Sequence, residues 1–109
     1  MEEIKKFYSE IRENEAVISL DQNDFNSFSS NVNIITLQGS QDYNEWLKKK
    51  VVKAKSLLIC ILLPKDTSSI NSADWISNIL TIFVCVEKPI FGIYKKDKQK
   101  RTKITLIFE

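Results

Sequence analysis

The sequence predicts a single α/β domain, in which two helices pack on a four-stranded mixed β-sheet and an N-terminal helix leads in. A run of seven apolar residues, 57–63, lies between Ser56 and Pro64. It is far shorter than the roughly 20 residues that span a bilayer, so it indicates a strand buried on both faces. Segments with helical apolar spacing alternate with β-branched segments, and the length of 109 residues suits one domain.

The N-terminal segment predicts a lead-in helix followed by a loop. Over residues 2–12, charged side chains separate apolar ones that recur at helical spacing, namely Ile4, Phe7, Tyr8 and Ile11. Residues 16–20 are a short apolar link, and residues 21–24 are rich in turn and cap formers. We expect Phe25 and Phe28 to anchor one short helical turn beyond them.

The middle of the chain predicts one strand and one helix before the apolar run. Residues 32–37 are mostly β-branched and predict a strand that ends at Gly39. A helix is then expected over 41–54, in which Trp46 packs in the core rather than binding a ligand. Its apolar face consists of Tyr43, Trp46, Leu47, Val51 and Ala54.

The last part of the chain predicts a third helix and two strands. The apolar spacing indicates a helix over 72–84, in which Trp75 is expected to pack as Trp46 does. Residues 90–94 and 103–108 have the composition of strands, and the polar connection between them predicts that they pair as an antiparallel hairpin.

The composition excludes several kinds of chemistry. The sequence has no histidine for a catalytic pair or a metal site, and its two glycines are too few for a phosphate-binding loop. We therefore expect a protein that is not an enzyme and has no cofactor and no metal. Cys60 and Cys85 lie among apolar residues without metal-ligand spacing, which favours buried free thiols. No signal peptide or transmembrane segment is recognised, so the expected location is the cytoplasm without membrane association.

Four segments of the sequence carry motifs that recur in one protein family. Residues 18–25, Ile-Ser-Leu-Asp-Gln-Asn-Asp-Phe, are similar to a loop of the type I-N-x-D-F-A-D-V. Residues 54–61 resemble an A-[KR]-G-x-L-[VL]-N-I strand, while residues 90–92 and 103–107 resemble [IV]-[IV]-F-G and R-V-T-V-I strands. In this order they resemble the C-terminal domain of the FtsZ/tubulin family of filament-forming GTPases, in which the first motif is the synergy loop. The resemblance implies one FtsZ C-terminal-like domain over 1–109, with a lead-in helix over 1–15, a synergy-like loop over 16–31, and the sheet and helices over 32–109.

The sequence also departs from the family. The glycine-rich nucleotide-binding half has no counterpart here, and Ser19 and Gln22 replace the Asn and Phe of the synergy loop. The resemblance therefore implies that the chain does not bind GTP in the family's manner. In the family, the loop of one subunit reaches its neighbour's nucleotide, and the acids of the loop position the attacking water. Asp21 and Asp24 align with these acids, and Phe25 follows them.

Two interpretations of these acids remain open from the residues themselves. Two carboxylates three residues apart in a turn can polarise one water molecule. Asp-x-x-Asp before an apolar turn is also a common helix start, in which one acid caps the helix and the other interacts favourably with its dipole, and the residues alone favour this interpretation. The resemblance favours Asp21, Asp24 and Phe25 as contacts to a tubulin-like GTPase subunit, or to another copy of the chain. Such a contact would modulate filament assembly or GTP turnover in cell division.

A basic patch is the second candidate site. Its cations are Lys48, Lys49, Lys50, Lys95, Lys96, Lys98, Lys100 and Arg101. The alternative function is therefore a small module that binds nucleic acid or an acidic protein through phosphate or carboxylate contacts. No stacking aromatics are interleaved with these charges, which favours solvated lysines that protect strand edges. A third possibility is self-association through unpaired sheet edges, with Ile107 as an edge position.

Overall fold

The structure is a computed structural model that describes residues 2–26, 28, 31–48 and 51–109. Its helices and strands are, in order, α1 (Glu2–Ile11), β1 (Glu15–Ile18), β2 (Asn33–Gln38), α2 (Gly39–Leu47), β3 (Val52–Lys53), β4 (Leu57–Pro64), α3 (Ser72–Leu80), β5 (Phe83–Val84), β6 (Ile90–Lys96) and β7 (Lys103–Phe108). A short 3₁₀-helix over Gln22–Phe25 lies between β1 and β2.

The main sheet is mixed and has five strands in the order β1-β6-β4-β7-β2. β4 pairs in parallel with β6 and antiparallel with β7, and the outer strands β1 and β2 pair antiparallel with β6 and β7. β2, β4 and β6 therefore run in one direction, and their carboxyl ends lie at the same end of the sheet. The predicted α/β class and mixed sheet are confirmed. The fifth strand is β1, where the sequence predicts only a link.

β4 is the centre of the molecule because both of its faces are covered. Its odd-numbered side chains, Leu57 to Leu63, are buried with apolar residues of α2 and α3. Its even-numbered side chains, Leu58 to Leu62, are buried with Ile4 and Ile11 of α1. α1 thus covers the second face of the sheet rather than only leading into it.

The predicted hairpin of the last two strands is wrong. β6 and β7 run antiparallel, but β4 lies between them and pairs with both. A strand that is apolar on both faces is most stable when strands flank it on both sides, so β4 takes the central position. The sheet edges are consequently β1 and β2. Ile107, on β7, is an interior position and is fully buried.

Two predicted helices end earlier than expected. α2 ends at Leu47 rather than residue 54, and α3 ends at Leu80 rather than residue 84. The residues beyond them form a separate parallel pair, in which Val52 and Lys53 of β3 face Phe83 and Val84 of β5. The strand propensity of these β-branched and aromatic residues, together with a partner strand, outweighs the continuing helical spacing. Trp46 is buried as predicted, and its ring stacks on Phe83 with the centroids 5.8 Å apart.

The two cysteines have different surroundings. Both thiols are free, and Cys60 is buried in β4 as predicted. Cys85 is exposed, contrary to prediction, because it follows β5 in a turn where its φ is +73°. None of the helices in the described ranges is long and apolar enough to cross a membrane.

Candidate protein-interaction site

Residues 19–26, which we call the acidic loop, begin at the end of β1 and contain both predicted acids. Asp24 N–H donates to Asp21 Oδ1 at 3.1 Å, and Asp21 N–H donates to Asp24 Oδ2 at 2.8 Å. This reciprocal capping box starts the 3₁₀-helix. The structure therefore has the helix-start geometry, but each carboxylate uses only one oxygen in it. The other oxygen of each has no hydrogen-bond partner within the described ranges.

Phe25 is directed into the protein rather than towards solvent. It is 4% exposed, and its ring centroid lies 6.2 Å from that of Phe7 and 5.1 Å from that of Tyr8, both on α1. Phe28 is buried in the same cluster. Of the three predicted contact residues, only Asp21 and Asp24 have surface exposure. Phe25 instead anchors the acidic loop on α1.

The start of the acidic loop is held by β6. Leu20 N–H donates a hydrogen bond to Tyr94 Oη at 2.7 Å. The Tyr94 hydroxyl in turn donates a longer one, of 3.5 Å, to the carbonyl oxygen of Leu20. Burial raises the pKa of Tyr94, so the hydroxyl remains protonated at neutral pH. A Cβ added to Gly92 would lie 2.5 Å from Leu20 Cγ, closer than any real contact allows. The glycine of the Phe-Gly motif therefore makes room for the loop.

Two exposed apolar side chains lie near the end of β1, where the acidic loop begins. Ile18 is 45% exposed and Phe91 is 37% exposed. Ile18 is paired with Ile93, and Phe91 lies two residues away on the same face of β6, within about 7–8 Å by sheet geometry. This face is opposite to the one on which Leu20 and Tyr94 are buried. The sequence predicts a link at Ile18 and a strand at Phe91 but does not indicate the exposure of either residue, which depends on the place of β1 at the sheet edge.

The predicted cations belong to two segments of the chain. Lys95, Lys96, Lys98, Lys100 and Arg101 lie at the carboxyl end of β6 and in the connection that follows it. Lys48 follows α2 and precedes β3, near the amino end of β4. Arg101 lies beside Gly39 at the start of α2, and Lys48 follows its last residue, so the nine residues of α2, about 14 Å, separate these two cations. Lys49 and Lys50 lie outside the described residues. Within the described part of the chain, no three His, Cys, Asp or Glu side chains come together to hold a metal ion.

The fold matches that of the C-terminal domain of FtsZ. Two of the solved structures that match are of FtsZ from M. jannaschii. The empty FtsZ dimer matches with a TM-score of 0.66 at 13% identity, over 86% of this chain and 32% of that chain. A tryptophan-to-tyrosine mutant gives 0.57 at 14% identity over the same shares. The chain thus spans about a third of the FtsZ chains. No family model and no curated protein matches the sequence.

Proposed function

We propose that the chain is a non-catalytic interaction module that docks on a subunit of a tubulin-like GTPase. Docking changes the filament assembly or the GTP turnover of that partner in cell division. The observation that carries this proposal is the acidic loop, in which Asp21 and Asp24 cap each other through one oxygen each and both have surface exposure. The loop occurs on the fold of the FtsZ C-terminal domain, where the family resemblance implies a contact with the neighbouring nucleotide.

The surroundings of the loop support docking. Ile18, which directly precedes the acidic loop, and Phe91 on the neighbouring strand supply exposed apolar area near the start of the loop, and protein interfaces commonly combine an apolar centre with a polar rim. Phe25 packs against α1, and Tyr94 accepts a hydrogen bond from Leu20, so both ends of the loop are already fixed. Little conformational entropy is therefore lost when a partner binds. In this proposal Phe25 positions the contact without touching the partner.

The proposal assigns the chemistry to the partner. The acids of the loop would orient water at the partner's nucleotide, as the family resemblance implies. These 109 residues contain no glycine-rich nucleotide half, so they offer no equivalent pocket to a further subunit. The module would then cap one filament end or alter turnover, acting in the cytoplasm.

The test measures GTP turnover and sedimentation of FtsZ from M. jannaschii with increasing amounts of this protein. The informative variant is Asp21→Asn/Asp24→Asn, because asparagine oxygens accept the same capping hydrogen bonds while both charges are removed. We expect a dose-dependent effect from the native protein and the loss of most of it in the variant. Circular dichroism checks that the variant is folded.

The matched control is Asp66→Asn/Asp97→Asn. It makes the same change of net charge with two exposed acids, which follow β4 and β6 at the other end of the sheet. Among the ion pairs of the described residues, it breaks only the exposed Lys65–Asp97 pair of 3.3 Å, which is worth about 0–1 kcal/mol. This control should act like the native protein. A native protein without effect, or equal losses in both variants, contradicts the proposal. Binding to nucleic acid that weakens steeply with salt would favour the basic-module alternative.

A further inference from the structure

A cavity of about 250 Å³ opens between α2 and α3, at the carboxyl end of β2. Half-buried Tyr43 and Trp75 line it from the two helices, and buried Ile104 of β7 also contributes to its lining. Arg101 and Ser40, both exposed, belong to the same lining. The cavity therefore combines aromatic and aliphatic walls with one cation. It lies far from the acidic loop, which is held at the amino-terminal half of β6.

Hydrogen bonds hold these residues in place. Asn78 Nδ2 donates to Tyr43 Oη at 3.0 Å, so α3 fixes the ring that α2 contributes. Gly39 N–H donates to the Thr102 carbonyl oxygen at 2.9 Å, which ties the start of α2 to the residue next to Arg101. The Tyr43 ring and the backbone next to Arg101 are thus positioned before any ligand arrives, which lowers the entropic cost of binding.

The charge of the cavity is positive. Arg101 forms no ion pair with any residue that the structure describes. The nearest acid in the sequence of α2, Asp42, accepts a hydrogen bond from Gln38 N–H at 2.9 Å and lines a separate polar cavity that Arg101 also borders. No carboxylate lines the apolar cavity itself. An anionic group beside the Arg101 guanidinium would therefore gain attraction without facing a carboxylate in the lining.

We propose that this cavity binds a small aromatic carboxylate. The ring lies between Tyr43 and Trp75, and the carboxylate pairs with Arg101, whose planar guanidinium matches a carboxylate with two hydrogen bonds. Aromatic side chains contact a flat ring well in stacked or edge-to-face arrangements. The volume of the cavity is slightly below the range of about 300–1,000 Å³ that is usual for ligand pockets, which suits one ring with a short acid chain. This binding site is independent of the proposed docking function.

The first experiment titrates the full chain with 4-fluorophenylacetate and follows the fluorine NMR signal. We expect a saturable shift with a dissociation constant on the order of 1 mM, as suits a ligand of this size. The uncharged 4-fluorophenylacetamide should bind about tenfold more weakly because it lacks the charge-assisted pair. In the nitrogen–proton spectrum, the indole N–H of Trp75 should shift and that of Trp46, which is outside the cavity lining, should not.

Two variants test whether Arg101 is the cation that pairs with the carboxylate of the ligand. Arg101→Gln should weaken binding about tenfold, whereas Lys100→Gln, the same charge change at the adjacent exposed position, should leave it within about twofold. Both side chains are exposed, so both variants should fold. The proposal is overturned by the absence of a saturable shift up to about ten times the expected constant, by equal binding of acid and amide, or by equal effects of the two substitutions.

Discussion

At the scale of single residues, Gly92 and Leu20 determine where the acidic loop leaves the sheet. Leu20 is buried, and its side chain occupies the space that a side chain at position 92 would need. The Leu20 N–H donates a hydrogen bond to the hydroxyl of Tyr94, which lies on β6 together with Gly92. One strand thus supplies both the space and the hydrogen bond that place Asp21 directly after Leu20. The position of the carboxylates depends on this contact rather than on the acids alone.

Replacing Gly92 by alanine tests this contact. Gly92→Ala should lower the free energy of unfolding by about 1–3 kcal/mol, because the new methyl group would lie 2.5 Å from Leu20 Cγ. Leu20→Ala alone should cost about 2–5 kcal/mol by leaving a cavity. The double variant should lose less than the sum, because truncating Leu20 makes room for the methyl group. Urea denaturation followed by tryptophan fluorescence measures all three. Additive losses would show that the two residues do not compete for this space.

The buried thiol of Cys60 makes stability depend on alkaline pH. Burial raises its pKa from 9.0 to about 12. Above pH 9.0 the unfolded chain loses this proton while the folded protein retains it, so the free energy of unfolding falls as pH rises towards 12. The slope is about 1.4 kcal/mol per pH unit. Below pH 9.0 both states hold the proton and this contribution is constant.

The measurement compares urea denaturation of the native protein with that of Cys60→Ala at about pH 8 and about pH 10.5. The native protein should lose about 2 kcal/mol more than the variant between these values, because other titrating groups contribute equally to both. Cys85→Ala removes the exposed thiol and should behave as the native protein does. Equal pH dependence of native and Cys60→Ala proteins would mean that the Cys60 thiol is not shielded from water.

At the scale of helices and strands, local pattern predicts an element only where the element is long. α1, β4 and β7 have six to ten residues and show their period in the sequence. β1, β3 and β5 have two to four residues, too few to show any period. These strands form because the fold places a partner strand next to each of them, as β5 with Phe83 lies next to β3 with Val52. The polar connection after β6 likewise cannot indicate that β4 lies between β6 and β7.

The candidate interaction site shows the same limit. The spacing of Asp21 and Asp24 predicts their reciprocal cap, since three residues is the capping-box distance. The inward direction of Phe25 depends on α1 packing across the loop, which no local pattern indicates. The exposure of Ile18 and Phe91 depends on the order of strands in the sheet. Residues whose role depends on a distant element are therefore those that the sequence does not identify.

At the scale of the whole molecule, the sheet has two different ends. The acidic loop is held beside Gly92 near the amino end of β6. Arg101 and the apolar cavity lie at the opposite end, where β2, β4 and β6 finish. The intervening core is buried on both faces of β4. Substitutions at one end should therefore have effects that add to those at the other, because no shared neighbour couples them.

The same architecture separates edge positions from interior ones in any test of self-association. Ile107 lies on β7 between β4 and β2 and is fully buried against the layer that contains α1, so Ile107→Lys places a charge in the core. It should cost at least about 3–5 kcal/mol, much of the 5–15 kcal/mol that typically stabilises a domain. Ile18 lies on the exposed edge strand β1, so Ile18→Lys should change the free energy of unfolding by less than about 1 kcal/mol.

Circular dichroism during urea denaturation measures both costs, and sedimentation velocity over a range of concentrations measures association. If two copies pair through the β1 edge, Ile18→Lys should remain folded and become monomeric, because an edge lysine opposes strand addition. Identical sedimentation of the native protein and Ile18→Lys would exclude the β1 edge as a contact. Ile107→Lys cannot make this distinction, since its unfolding would abolish association whichever edge the copies use.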